Sequence, residues 1–270
     1  MFGVILYIEP TTDYINYPSA IARKFAEHFG QGLHLLQLYG DEANPQTIRE
    51  AVLRLNPSFI FHTGHSFPCV MTVQHKQPLF SIATGEHKLC TKDRNLGLVK
   101  GRVIHSNSCL AGAEIGGVLV RRGAQAFLGS REEFLFLIPE SGVIDRATMS
   151  PFLAEYTADA VLLTGGTVGQ AHKERLKAFD KEIQYWLTKG KDHPAAPLLL
   201  RILESDKDIA VMYGNENARV APEREVTPLE IQPITEAQPV QWSAFVFAAP
   251  LLFFLKGKRK GNSHPYHRQV

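Results

Sequence analysis

The sequence predicts an α/β fold, a three-layer sandwich built on a mostly parallel β-sheet. Apolar runs of strand length alternate with amphipathic segments of helix length over the first 130 residues, and Gly or Pro marks most of their ends. The chain has 270 residues, 44% of them hydrophobic and 21% charged, which suits one large soluble domain. A net charge of +2, spread without a basic stripe, argues against nucleic-acid binding.

The elements follow one another in a regular order. The predicted strands are 3–8, 33–38, 58–62, 102–106, 126–128 and 209–213. The predicted helices are 18–29, 45–55, 111–122 and 168–189, with Asn44 and Thr167 as N-caps. In the less regular stretch between them, residues 70–73 and 79–82 are expected to pair as a hairpin. Strands that alternate with helices predict right-handed crossovers and therefore parallel pairing.

The last 50 residues differ in composition from the rest. Residues 221–239 are rich in Pro and Glu and lack periodicity, which indicates a linker after a domain of residues 1–220. Residues 240–260 combine a short apolar segment with the basic flank KGKRK. Two interpretations stay open for this segment: a membrane anchor, or a helix docked on the domain.

Cysteine usage and the N-terminus bear on the compartment. Cys69, Cys90 and Cys109 are an odd number without a CxxC pair, so we expect neither a disulfide framework nor a zinc site, and we expect Cys69 and Cys90 to be structural. The start of the sequence is typical of a buried strand and not of a signal peptide. The predicted location is therefore cytoplasmic or membrane-associated.

Two neighbouring strand ends carry the residues of a candidate catalytic site. The motif FIFHTGHS ends at His65, and RVIHSNSCLAGA carries Cys109 at the expected start of a helix. Active sites of open α/β sheets lie at the carboxyl ends of the strands. A thiol beside an imidazole and a helix N-terminus loses its proton more readily, which makes a nucleophile. His62 is the alternative base.

The backbone around this pair predicts further roles. The N–H groups of Ser66 and Cys109 are candidate oxyanion donors. Asn107 lies two residues before Cys109 and thus on the same side of the strand, facing the same cleft. A metal site of His62, His65 and His105 has only a weak spacing signal, so we expect no metal and no cofactor.

These motifs resemble the caspase-like cysteine peptidases of clan CD, in particular their gingipain, CHAT and separase branches. The resemblance covers residues 1–220 and rests on the histidine turn after an apolar strand, the Ser-Cys pair 44 residues later and the segment GVLVRRGAQAFLGS. It implies that His65 is the general base, that Cys109 is the nucleophile and that Asn107 helps to line the substrate pocket. It differs at Ser66, where these families have glycine.

The resemblance implies a cysteine endopeptidase that hydrolyses protein or peptide substrates through a thioester, and it implies no third catalytic residue. The second hypothesis is an inactive interaction module that keeps the fold. An α/β hydrolase or a nucleotide-binding domain is disfavoured because the GxSxG and GxxxxGK[ST] motifs do not occur. Glu132 and Glu133 after the following strand are expected to form a solvated acidic surface, and the alternative is that they favour a basic substrate residue.

Overall fold

The computed structural model describes residues 4–85, 87–138, 143–227 and 229, all of which belong to one compact unit. Within these residues, six strands form the main sheet in the order β2-β1-β3-β7-β8-β9. Their bounds are β1 Ile5–Glu9, β2 Leu35–Tyr39, β3 Phe59–Thr63, β7 Val103–Asn107, β8 Ala126–Ser130 and β9 Ala210–Gly214. The pairs from β2 to β8 are parallel and β9 is antiparallel to β8. The predicted α/β class with a mostly parallel sheet is therefore confirmed.

Helices cover both faces of this sheet. They are α1 Asn16–Phe29, α2 Pro45–Leu55, α3 Ile115–Arg121, α4 Arg146–Glu155, α5 Thr157–Leu163, α6 Val168–Leu187 and α7 Ala196–Ile209. One apolar cluster buries residues of α1 and α4 to α7 against the sheet, and a second buries residues of α2 and α3. This arrangement of helix, sheet and helix layers is compatible with a three-layer sandwich.

The helix ends follow the sequence signals. Asn44 caps α2 by accepting from the backbone N–H groups of Gln46 and Thr47, and Thr167 forms a reciprocal capping box with Gln170. The predicted helix 111–122 is shorter than expected, since α3 begins only at Ile115. The reason lies in the preceding loop, whose backbone bonds to the segment after β8 instead of forming helical bonds.

A small antiparallel sheet follows β3 and lies beside the candidate site. It contains β4 Ser66–Phe67, β5 Val70–Thr72 and β6 Pro78–Ser81, in that order. The pairing of β5 with β6 confirms the predicted hairpin.

The expectation that no disulfide forms is wrong, because Cys69 and Cys90 are bonded to each other. Cys69 lies in the turn between β4 and β5, and the loop after β6 returns to it, with the two Cα atoms 6.0 Å apart. Both cysteines are buried beside Val70. This bond closes a separation of 21 residues across the small sheet, and Cys109 is left as a free thiol.

The start of the predicted linker lies against the domain. Val220 and Ala221 are buried, and the Arg224 guanidinium donates to the carbonyl oxygens of Phe29, Gln31 and Leu163. Residues 240–260, predicted as an apolar segment with a basic flank, lie outside the described residues, as does most of the predicted linker. In the described part of the chain, no helix is both long enough and apolar enough to cross a bilayer.

Candidate active site

The register of two adjacent strands aligns His65 with Cys109. β3 and β7 are parallel neighbours in which Phe59 pairs with Val103 and Thr63 pairs with Asn107. His65 and Cys109 each follow the last of these pairs by two residues, so they leave the same edge of the sheet at the same level. The two side chains that the sequence predicted as a dyad therefore stand at adjacent strand tips.

His65 is held by two residues of the loop after β1. Its Nε2 atom lies 3.6 Å from Asp13 Oδ2, and its Nδ1 atom lies 3.5 Å from the hydroxyl of Tyr14. The two rings meet edge to face, with centroids 5.2 Å apart. Lys76 binds the same Asp13 oxygen at 2.8 Å. Asp13 and Tyr14 thus border the imidazole, whose Nε2 atom is buried without a hydrogen-bond partner in the described structure. The sequence analysis assigned no role to either residue.

The loop that carries Asp13 is fastened to the small sheet. The Gln74 side-chain oxygen accepts from the backbone N–H of Thr11 at 2.8 Å and from the Thr12 hydroxyl at 3.1 Å. The Thr12 hydroxyl oxygen in turn accepts from the backbone N–H of His75 at 2.8 Å. These contacts join residues more than 60 positions apart, which is why no local pattern in the sequence reveals them.

Cys109 is half-buried and lies beside the segment that follows β8. Its thiol donates to the Phe134 carbonyl oxygen at 3.8 Å. The backbone N–H of Leu110 donates to Glu132 O, and that of Gly112 donates to Ser130 O. Gly112 is required here because a Cβ would lie 2.4 Å from the Val211 side chain.

The expected position of Cys109 at a helix N-terminus is wrong. Five residues lie between Cys109 and Ile115, where α3 begins, and Leu110 adopts a left-handed backbone with φ 60°. Residues 110–113 form a turn in which Ala113 N–H donates to Leu110 O. A helix dipole therefore does not contribute to activation of this thiol, since that effect decays within the first turn of a helix.

Both members of the candidate dyad are uncharged at neutral pH. Burial raises the pKa of Cys109 to about 11, and the nearby Glu133 and Asp206 carboxylates act in the same direction. Burial also lowers the pKa of His65, with a further contribution from Lys76 that outranks the opposing effect of Asp13. The resting pair is therefore a thiol and a neutral imidazole, not a thiolate and an imidazolium.

Tyr14 lies close to both members of the pair. Burial, followed by the charge of a Cys109 thiolate, raises the pKa of Tyr14 to about 12. Tyr14 also packs on Phe136, with ring centroids 5.9 Å apart, and Phe134 in the same segment accepts the Cys109 thiol bond. The segment after β8 therefore borders the surroundings of both His65 and Cys109.

The predicted oxyanion donors have suitable backbone geometry on one side. Thr72 N–H donates to His65 O at 2.9 Å, which makes His65 and Thr72 a hydrogen-bonded pair of the antiparallel ladder. Hydrogen-bonded and open pairs alternate in such a ladder, so the N–H of Ser66 faces away from β5. The oxyanion role of both groups stays a prediction.

Asn107 is placed beneath the site. It is 4% exposed, its side-chain oxygen accepts from the Tyr156 hydroxyl at 3.2 Å, and its side-chain nitrogen is buried without a hydrogen-bond partner in the described structure. Asn107 is the last residue of β7, and Cys109 lies in the turn that follows the strand. The role of Asn107 in substrate binding stays a prediction.

The two remaining histidines of the motifs lie in separate environments. His62 Nδ1 contacts Ser106 Oγ at 3.0 Å and its Nε2 contacts Thr72 O at 2.8 Å, and burial lowers its pKa to about 4. His105 binds Asp159 and Glu155 at 3.0 and 2.9 Å. Neither histidine forms a common metal site with His65. Among the described residues, no group of His, Cys, Asp and Glu is arranged to hold a metal ion.

Comparisons with known proteins add nothing to this site. No protein-family model matches the chain, and no curated protein matches it.

Proposed function

We propose that this chain is a cysteine endopeptidase of caspase-like fold, with Cys109 as the nucleophile and His65 as the general base. The observation that carries the proposal is the register of β3 and β7, which sends these two residues out of the sheet at the same level. A mostly parallel sheet with helices on both faces is compatible with the α/β fold that the resemblance implies. The active site then lies at the carboxyl edge of the sheet, as is general for such folds.

The reaction begins with a neutral pair. The Cys109 sulfur attacks the carbonyl carbon of the scissile peptide bond while its proton passes to His65, and a tetrahedral oxyanion forms. The oxyanion collapses, the carbon–nitrogen bond breaks, and the leaving amine takes the proton from His65. Water then attacks the Cys109 thioester with His65 again as the base, which releases the acid and restores the thiol.

Asp13 determines which nitrogen of His65 acts. Its carboxylate lies on the Nε2 side of the ring, and Lys76 keeps the pKa of Asp13 below its usual range. An anion 3.6 Å from Nε2 favours a proton on that nitrogen and stabilises the imidazolium that forms during attack. Nδ1, which lies 3.5 Å from the Tyr14 hydroxyl, is then the nitrogen that is left to accept a proton.

A second candidate function is an interaction module without turnover. The observation that favours it is the pKa of Cys109, which burial raises to about 11. A protonated thiol is a poor nucleophile unless substrate binding places His65 where it can accept the thiol proton. The two functions differ in whether Cys109 reacts in a manner that depends on His65.

The partners and the location that go with the leading function are also proposals. The substrate is a protein or peptide and not a nucleic acid, and residues 240–260 would provide membrane association. The Cys69–Cys90 disulfide favours an oxidising compartment over the reducing cytoplasm.

The test is cleavage of a mixed peptide library by the full chain and by the Cys109→Ala and His65→Ala variants. We expect defined cleavage sites for the wild type and no turnover above background for either variant. Asp180→Asn, which alters an exposed acid paired with Lys207, is the matched control and should keep full activity. Equal cleavage by the wild type and the Cys109→Ala variant would disprove the proposal.

A further inference from the structure

A chain of four polar side chains connects the two strand tips on the face opposite to the dyad. Ser66 Oγ lies 2.7 Å from Ser108 Oγ, Ser108 Oγ lies 2.7 Å from Ser106 Oγ, and Ser106 Oγ lies 3.0 Å from His62 Nδ1. All four residues are at most 5% exposed. Buried hydroxyl groups that satisfy one another in series form a rigid unit.

The contact of His62 with Thr72 determines which hydroxyl donates to which along this chain. His62 Nε2 lies 2.8 Å from the Thr72 carbonyl oxygen, which only accepts, so Nε2 carries the ring proton and Nδ1 is an acceptor. Ser106 therefore donates to His62, Ser108 donates to Ser106, and Ser66 donates to Ser108. Each hydroxyl uses its single proton inside the chain, and the Ser66 side chain has none left for a substrate oxyanion.

The chain lies directly beside the catalytic candidates in the sequence. Ser66 follows His65, and Ser108 precedes Cys109. The Ser66–Ser108 bond therefore joins the two tips one residue away from the imidazole on one strand and one residue away from the thiol on the other. No ladder bond between β3 and β7 reaches this level, because their pairing ends at Thr63 and Asn107.

We propose that Ser66 and Ser108 are positioning residues that hold the His65 tip at a fixed separation from the Cys109 tip. This inference rests on the proposed function and adds to it the reason why serine stands at position 66. The hydroxyl of Ser66 forms a hydrogen bond to Ser108 on the other strand tip, which glycine cannot form. Serine at position 66, where the resembling families have glycine, then stabilises the positions of the two dyad residues and does not impair them.

Backbone packing supports the same role. Gly64 lies against the inner end of the chain, where a Cβ would be 2.7 Å from His62 Nε2 and 2.4 Å from Thr72 O. Thr72 also binds the His65 carbonyl oxygen through its hydroxyl at 2.8 Å. The turn that presents His65 is thus held from below by the same residues that fix the His62 proton.

The test measures the alkylation rate of Cys109 by iodoacetamide in the full chain as a function of pH. With Cys69 and Cys90 in a disulfide, Cys109 is the reactive thiol of the described residues. Near neutral pH, Ser66→Ala and Ser108→Ala should each slow the reaction about tenfold, since small displacements of a positioned pair have effects of this size. Above about pH 11, where hydroxide forms most of the thiolate without His65, the variants should match the wild type.

Three comparisons make the result decisive. Ser66→Thr keeps the hydroxyl and should recover most of the lost rate. Ser150→Ala is the matched control, because Ser150 is an equally buried serine that bonds to Glu182 and Trp186 of the helical layer, and it should leave the rate unchanged. The melting temperature of each variant, measured by circular dichroism, checks that the alkylation rates are those of folded protein.

The outcomes also separate this inference from the function on which it rests. If His65→Ala slows alkylation near neutral pH and the serine variants do not, the positioning role is disproved while the dyad stands. If His65→Ala has no effect, the dyad itself is disproved. An equal loss for the serine variants at neutral and at high pH would show a general structural effect and would also overturn the positioning role.

Discussion

Three histidines on, or just after, two adjacent strands show how partners and burial together set the charge of a side chain. His105 is fully buried, yet the Asp159 and Glu155 carboxylates outweigh the cost of desolvation and raise its pKa to about 9. His62 is equally buried without a carboxylate, and its pKa falls to about 4. His65 has Asp13 nearby, but burial still lowers its pKa. The buried cluster is charged and structural, whereas the edge of the sheet keeps a neutral imidazole that is free to accept a proton.

The cluster around His105 is also the better bonded of the two regions. Glu155 binds His105 and Arg175, both at 2.9 Å, and Asp159 binds His105 at 3.0 and 3.1 Å. All four side chains are at most 1% exposed. At the strand tips, by contrast, the polar contacts of the His65 and Cys109 side chains are 3.5 Å or longer. The longer contacts suit groups that must change partners during a reaction.

The largest effect that we expect comes from breaking the buried cluster. Arg175→Met removes a buried cation and leaves Glu155 short of a partner, which should lower the free energy of unfolding by about 3–5 kcal/mol. Urea denaturation of the full chain measures this change. Arg23→Met, which breaks the exposed pair with Glu27, is the control and should cost less than about 1 kcal/mol. Similar losses for the two variants would contradict the contrast between buried and exposed charges.

The disulfide supports the region beside His65 in a different way, through a covalent bond. Replacing Cys69 and Cys90 together by alanine should lower the stability by about 3 kcal/mol, because the loop that the bond closes gains freedom in the unfolded chain. Denaturation with and without the double substitution measures the effect. Cys109→Ala provides the matched cysteine control. A double variant as stable as the wild type would show that the bond does not constrain the chain.

The pH at which the folded protein loses stability should differ for His105 and His62. The pKa of His105 is raised on folding, so its contribution is fully present below about pH 6.5 and is lost as the pH rises through about 9. The pKa of His62 is lowered, so the folded protein loses stability as the pH falls from about 6.5 towards 4. The stability difference between the wild type and His105→Gln should therefore narrow from neutral to alkaline pH. A difference that stays constant would show that His105 is not charged in the fold.

The smallest effect concerns the orientation of His65. Asp13→Asn keeps the shape of the side chain but removes the charge that favours the imidazolium, so peptide cleavage should fall about tenfold. Because Asp13 raises the pKa of His65, its loss should also move the acid limb of the pH profile to lower pH. The kcat/KM profile measures both changes. A profile that keeps its position would mean that Asp13 does not act on His65.

The sequence predicted those parts of the fold that depend on local signals. The apolar runs of β1, β3 and β7 and the caps at Asn44 and Thr167 are readable because each depends on a few adjacent residues. α4 was missed because it is buried on nearly all sides and contains Pro151, so it shows no single apolar stripe. The Cys69–Cys90 bond was missed because only the path of the small sheet brings the two residues together.

The candidate site was predictable to the same extent. The turn after β3 and the Ser-Cys pair after β7 identified His65 and Cys109, because parallel neighbours bring equivalent residues to one edge. Asp13 and Tyr14 could not be found, since Gln74, more than 60 residues away, holds their loop in place. The raised pKa of Cys109 could not be predicted from the sequence either, because it depends on burial and on the nearby Glu133 and Asp206.

The central claim is that Cys109 reacts with the help of His65, and covalent labelling tests it most directly. A peptidyl acyloxymethyl ketone is incubated with the full chain near neutral pH, and the modified residue and its rate are read by mass spectrometry. The account predicts modification at Cys109 and a loss of about a hundredfold in rate for His65→Ala, the loss typical of a missing general base. Equal labelling rates for the wild type and His65→Ala would contradict it.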